Sequence, residues 1–250
     1  MDQQSDHLFN NLLNECGVTE ATLNAGQKNS LDRDGYVVLP AVIDPAMVDR
    51  LRRAFDQHTR TEQSGTRHIS DPINADRIFD IAFTHVSVLA AVHHVLKRPF
   101  KLTQFGGRDP LPGYGQQGLH TDSMQRFPDE PFRVVTAIWI IDDFTANNGA
   151  TRVVPGTHLQ IKPVPKTFAA PTNKHSNQIV ITAKAGSILI FNGHLWHSAT
   201  KNESTMPRRT LQCSFYGREM KGAGEINCNS PECLTPTAKY ILGLSAVDNG

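Results

Sequence analysis

The sequence predicts a mainly β fold with flanking helices, a double-stranded β-helix (jelly-roll, cupin-like) barrel, and three observations carry that expectation. Helical patterns are confined to roughly the first hundred of 250 residues. From Lys101 to Tyr216 the chain is instead a series of short β-rich runs punctuated by Gly, Pro and Asn. A hydrophobic content of 39% in this length is enough to bury one substantial core. A single domain over residues 1–250 is therefore expected, with its core at about 30–216 and a C-terminal extension over 217–250.

The first thirty residues read as a loosely amphipathic helix followed by a polar link. Gly35-Tyr36-Val37-Val38-Leu39-Pro40 is a short β run. Asp44-Pro45 then offers an N-cap and a first-turn proline to a helix that carries Met47, Val48, Leu51 and Phe55 on one face. The polar stretch Thr61 to Arg77 reads as loop, and Val86 to Leu96 returns to a helical pattern that ends before Pro99. Strands are predicted over 134–141, 151–154, 178–182, 187–191 and 210–216, with turns at Asn147-Asn148-Gly149, Pro155-Gly156 and Ala185-Gly186. Helices first and many short strands afterwards describe a jelly roll buttressed by helices.

Composition narrows the function. The 25 basic and 24 acidic residues give a formal charge of +1 and form no extended basic run, so neither nucleic acid nor an anionic membrane is an expected partner, and a small molecule is. The N-terminal segment has no charged start and no apolar core of a leader, and no stretch approaches about 18 consecutive apolar residues, which reads as a soluble cytoplasmic protein. Cys16, Cys213, Cys228 and Cys233 form no CxxC pair, so neither a disulfide framework nor a zinc ribbon is indicated. Oligomeric state is not legible.

Gly118-Leu119-His120-Thr121-Asp122 sets a histidine and a carboxylate two residues apart, and in extended backbone such residues share a face. The third ligand must come from a distant strand. His197, after the apolar strand 187–191, is the candidate, and His194, nearer the Asn192-Gly193 turn, competes for the position. Two imidazoles and one carboxylate leave three positions open, which suits non-haem Fe(II) binding a bidentate co-substrate and O₂. Zinc sites more often close with four ligands or keep one position open.

A dicarboxylate such as 2-oxoglutarate also needs a cation for its far carboxylate, and arginine's planar fork meets that group with two parallel hydrogen bonds. Arg208 and Arg209 open the last strong strand, eleven and twelve residues after His197. Neighbours on a strand face opposite ways. Leu211 and Cys213 share the face of Arg209 and are apolar, which turns that face toward the helices. Arg208, Thr210, Gln212 and Ser214 then line the polar interior, and Arg208 is preferred as the clamp.

With these residues in place the sequence resembles the phytanoyl-CoA dioxygenase family of iron(II)- and 2-oxoglutarate-dependent oxygenases. The matching segments are Asp34 to Pro40, Gln116 to Asp122, Asn148-Gly149-Ala150 with Val154 to His158, Gly186 to Phe191 running into Trp196-His197, and Pro207-Arg208-Arg209. The resemblance implies a double-stranded β-helix, Fe(II), 2-oxoglutarate and O₂ as reactants, succinate and CO₂ as co-products, and a hydroxylated small molecule. It carries over His120, Asp122 and His197 as ligands and Arg208 as clamp, and places Gln117 and Thr136 where relatives touch the co-substrate. His158, in the turn after Pro155, is architectural by the same comparison. Ile138 takes the place where relatives carry an inward aromatic, with Trp139 one position away. Halogenases of this superfamily lack the carboxylate ligand; Asp122 is present here, which favours hydroxylation, desaturation or ring closure.

Two rivals remain at this level: a cupin-like metalloenzyme that does not use 2-oxoglutarate, which has no need of Arg208, and a non-catalytic binding barrel. Substrate specificity is expected in the segments 61–77, 106–115, 123–133 and the tail after Tyr216, with Arg108, Arg126 and Arg133 as candidates to meet an anionic group.

Overall fold

A computed structural model describes residues 3–61, 65–220 and 224–244. The chain begins with helix α1 (Gln3–Glu15), α2 (Ala25–Arg33), strand β1 (Tyr36–Leu39) and α3 (Pro45–His58). Asp44 caps α3 through the Met47 amide at 2.7 Å, and the helix buries Val48, Leu51 and Phe55 of the predicted stripe together with Ala54, while Met47 is only partly buried. Helix α2 falls where only a polar link was expected. Its signal is a capping box, in which the Asn24 side chain accepts from the Gln27 amide and the Gln27 side chain accepts from the Asn24 amide.

The segment read as loop, Thr61 to Arg77, is structured on both sides of residues 62–64, which lie outside the described set. Strands β2 (Arg60–Thr61) and β3 (Thr66–Ile69) form a hairpin that pairs with β4 (Phe100–Pro110), and the short helix α4 (Pro72–Ala75) follows. These strands carry no apolar alternation because they form the polar end of the sheet; the eleven-residue β4 pairs with β3, and β3 with β2. A helical run then packs α5 (Ile81–Thr84) and α6 (Val86–Leu96) beneath the sheet. Among the described residues the run Arg77–Leu96 is by length and composition apolar enough to cross a membrane. Here Phe79, Phe83, Val88, Leu89 and Val92 are fully buried in the protein's own core.

The remaining strands are β5 (Val134–Ile140), β6 (Thr151–Val154), β7 (Ile179–Val180), β8 (Ile188–Asn192), β9 (Trp196–Ala199) and β10 (Thr210–Gly217). They alternate between two antiparallel sheets. The larger runs β1-β8-β5-β10-β4-β3-β2 and the smaller β7-β6-β9. Strand β5 shows why its sequence is apolar throughout: both faces are covered. Val135, Ala137 and Trp139 join the core under the helices, whereas Ile138 and Ile140 join Leu189, Phe191 and Val153 between the sheets.

The C-terminal segment, expected as an extension beside the core, is part of it. Helix α7 (Pro236–Ile241), capped by Thr235, buries Ala238, Tyr240 and Ile241, and the Tyr240 ring stacks on Phe9 of α1 at 5.6 Å. Residues 221–223 and 245–250 of that segment lie outside the described set.

Candidate metal centre

The ligand segment is not a full strand. His120 and His197 form a single antiparallel bridge, each backbone amide donating to the other's carbonyl at 3.0 Å, and Asp122 N donates to Gly193 O at 2.8 Å. Two glycines make this approach possible. A Cβ on Gly118 would collide with the Ala169 carbonyl, and one on Gly193 would collide with Val134 and stand 3.1 Å from the Asp122 Cβ. The pairing expected of residues 120 and 122 survives locally: both side chains reach one point, and His197 arrives there from β9.

One ligand atom each from His120, Asp122 and His197 lies within 4.8 Å of the others. His197 Nε2 is 3.3 Å from Asp122 Oδ1, and the imidazole centroids are 4.5 Å apart. Each ring is held through its other nitrogen. His120 Nδ1 donates to Gly118 O at 2.9 Å and His197 Nδ1 to Leu195 O at 2.8 Å. A carbonyl only accepts, so both rings carry a proton on Nδ1 and turn Nε2 inward. Asp122 is oriented in the same way, by the Thr136 hydroxyl donating to Oδ2 at 2.6 Å and by Tyr216 OH donating to its carbonyl at 2.9 Å.

The electrostatics favour a cation. Burial opposes ionisation of Asp122, yet His197, the Thr136 hydroxyl and His120 together hold its carboxyl below the usual range. Burial disfavours charge on His197, but the Asp122 carboxylate and hydrogen bonds to it and to Leu195 O outweigh this and raise its pKa. Burial and the neighbouring His197 keep His120 low and therefore neutral.

Above the triad is a cavity of about 180 Å³, walled by Gln117, Ile138, Phe191, Arg208, Thr210 and Gln212 among others. Alternation along β10 sorts the two arginines as expected. Arg209 faces outward and pairs with Asp142 at 2.9 Å and Asp56 at 2.9 Å. Arg208 faces inward. Its side chain is 6% exposed, lies 5.4 Å above the Phe144 ring, and has no hydrogen-bond partner for Nε. Burial pulls its pKa down to about 10; the pull of Asp109 opposes this and the charge of Arg108 adds to it.

Of the other expected residues, Gln117 lines this cavity, its Oε1 accepting from Ala199 N at 3.4 Å. Thr136, expected against the co-substrate, is fully buried behind Asp122, bonded to it and to Ser214 Oγ at 3.1 Å, and does not line the cavity. His194 stays outside the triad. Its Nε2 accepts from Arg133 N at 3.3 Å, and burial followed by the charges of Arg126 and Arg133 lowers its pKa to about 4. His158 Nε2 donates to Asp32 O at 3.1 Å and ties the turn to the N-terminal segment. Ile138 faces the cavity while Trp139 donates to Ala82 O in the helical layer. Sequence reasoning missed Phe191, whose ring lies 4.4 Å from that of His197, and Tyr216. Register along β8 and β10, absent from a lone sequence, is the signal that places them.

The donor set suits a divalent metal with open positions, since two imidazoles and one ionised carboxylate converge on one point, and a metal ion there would displace the proton that His197 Nε2 otherwise holds. The buried guanidinium suits a carboxylate on the far side of the cavity. The charges also balance: a divalent ion, Asp122 and Arg208 leave two positive charges, which the two carboxylates of 2-oxoglutarate cancel.

A jelly roll with this site defines the class of iron(II)- and 2-oxoglutarate-dependent oxygenases. Residues 31–210 match the family model described as Phytanoyl-CoA dioxygenase (PhyH). The chain belongs to the phytanoyl-CoA dioxygenase family. It is 25% identical over 249 residues to dioxygenase trt7 of Aspergillus terreus, covering 88% of this chain and 83% of that one. It is 24% identical over 241 residues to the Fe(II)/2-oxoglutarate-dependent dioxygenase nvfF of Aspergillus novofumigatus, covering 84% and 78%. Among solved structures, HygX from Streptomyces hygroscopicus with nickel and 2-oxoglutarate bound superposes with a TM-score of 0.69 at 18% identity, over 79% of this chain and 89% of that one.

Proposed function

We propose that this chain is a non-haem iron(II)- and 2-oxoglutarate-dependent dioxygenase that oxidises a C–H bond of a small molecule, with hydroxylation as the default outcome. His120, Asp122 and His197 hold the iron, and Arg208 holds the distal carboxylate of 2-oxoglutarate. The observation that carries this reading is the Arg208 guanidinium, buried in the same cavity as the triad with its Nε unpartnered. A metalloenzyme without 2-oxoglutarate has no use for so costly a charge.

When bound, iron and 2-oxoglutarate supply the oxidation: O₂ is reduced as 2-oxoglutarate loses CO₂ to become succinate, and the second oxygen atom goes to the substrate. The chain contributes placement. Gly118 O and Leu195 O fix the two imidazoles, Thr136 fixes Asp122, and Ile138 and Phe191 give the cavity dry apolar walls. Gln117 lies where it can bond the co-substrate. The chain works as one catalytic domain, supported by the packing of both terminal helices into one core.

The test is Fe(II)-dependent conversion of 2-oxoglutarate to succinate by the purified protein. The reading predicts turnover that needs Fe(II) and is lost in Asp122→Ala. Undiminished succinate formation in that variant removes Asp122 from the ligand set, and no iron-dependent succinate at all refutes the assignment.

A further inference from the structure

The cavity above the triad does not end at Arg208. Gln104, Arg108 and Gln212 also wall a second, open cleft of about 210 Å³, which lies over the inner face of β4 and β10 and is bordered by His68 of β3 and by Ser70. Three features of this cleft point to a ligand. Its floor is bare backbone at Gly106, which faces Gln212 in the ladder; a Cβ there would stand 3.4 Å from Ile69 O. Among the described residues the side chains of Gln104 and Arg108, both exposed, and of half-buried Gln212 make no hydrogen bond, so their donors and acceptors are open to a molecule entering from solvent. Finally, no carboxylate other than Asp122 lines either space among those residues.

Charge then selects the ligand. The metal, Asp122, Arg208 and the dianionic co-substrate already cancel. Arg108 adds a positive charge to the same cavity, near enough for its field to act on both His120 and Arg208. Of the other candidate cations neither lines these two spaces: Arg133 pairs with Glu130 at 2.6 Å, and Arg126, whose Nε is unpartnered, donates to Glu130 O at 2.7 Å, lies 4.8 Å above the Phe132 ring and borders a separate space beside Met124 and Lys162.

We propose that the cleft over Gly106 is the primary-substrate site and that Arg108 recognises an anionic group, a carboxylate or a phosphate, on that substrate, with Gln104 and Gln212 bonding its polar body. The inference rests on the oxygenase reading, since it assigns Arg208 and the triad to 2-oxoglutarate. It makes Arg108 a specificity residue and leaves co-substrate binding to its neighbour.

The test uses the full chain loaded with Ni(II) and saturated with N-oxalylglycine, an unreactive analogue of 2-oxoglutarate. Matched probes are followed by saturation-transfer NMR: 3-phenylpropanoate against its amide, and glucose 6-phosphate against glucose. The expected result is a preference of about tenfold or more for an acid over its neutral partner, as a charge-assisted hydrogen bond provides. The carboxylate and phosphate arms tell the two sources of charge apart. Arg108→Gln should abolish the preference, Arg108→Lys should retain part of it, and N-oxalylglycine affinity should change far less than probe affinity in both. Gly106→Val, which fills the floor, should block the probes while leaving the analogue bound.

No preference in the wild-type protein, or one that survives Arg108→Gln, overturns the proposal while leaving the oxygenase intact. A loss of N-oxalylglycine affinity in Arg108→Gln equal to the loss of probe affinity also overturns it, by moving Arg108 into the co-substrate site. Failure of the wild-type protein to bind Ni(II) and N-oxalylglycine overturns the oxygenase reading itself.

Discussion

The two faces of β10 handle positive charge in opposite ways. On the outer face Arg209 meets Asp142 and Asp56, Arg52 joins Asp142 at 3.0 Å, and Arg67 spans Asp56 and Asp109. This network straps α3, the β2–β3 hairpin and the start of β10 together. On the inner face, one residue away in sequence, the Arg208 guanidinium is more deeply buried and its Nε is unpartnered. A buried charge without a partner costs stability unless a ligand supplies one. The difference separates charges that hold the fold from a buried charge left open to the cavity above the triad.

Substitutions on the two faces should therefore separate cleanly. The largest effect is expected at the triad itself: Asp122→Ala should lower iron-dependent turnover by more than the roughly 10- to 100-fold that loss of a supporting hydrogen bond brings, read as succinate formation at saturating 2-oxoglutarate. Next is Arg208→Ala, which should raise the KM for 2-oxoglutarate about 10- to 100-fold, the worth of a charge-assisted pair, with activity recovered at high co-substrate. Thr136→Val keeps the shape but deletes the hydroxyl that holds Asp122, and should weaken Fe(II) binding by about tenfold. Arg209→Met, on the outer face, should lower unfolding stability by about 1–2 kcal/mol and leave the KM for 2-oxoglutarate unchanged.

The pH response follows from His197. Its pKa is raised in the metal-free protein, so it keeps a proton that must leave before Nε2 can bind iron. Iron affinity should accordingly climb as pH rises from about 6 to 8. The same raised pKa stabilises the metal-free fold on the acid side, a contribution lost as pH rises through it. Melting curves with and without metal should therefore diverge toward alkaline pH.

Much of this contrast was legible before any coordinates. Alternation alone assigned Arg208 to the inside and Arg209 to the outside, because Leu211 and Cys213 are apolar and Thr210 and Gln212 are not. The His120–Asp122 spacing and a histidine after a strand gave the triad. What stayed hidden depended on partners distant in sequence. Strands β2 and β3 are polar strands at the end of the sheet, β3 paired to β4 and β2 to β3. Helix α7 looks like a polar tail until Tyr240 finds Phe9. Thr136 lies on the inward face of β5, but only the bond to Asp122 shows that it serves the ligand rather than the cavity. Arg108, one of three equivalent candidates in the sequence, is the one that lines the cavity shared by the triad and Arg208.

Calorimetric titration of 2-oxoglutarate into the anaerobic Fe(II)-loaded protein compares the two arginines most directly. Arg208→Ala is predicted to weaken binding at least about tenfold, and Arg209→Ala to bind like the wild-type protein. Equal losses in the two variants, or an unaltered affinity in Arg208→Ala, would contradict the division of labour between the faces of β10.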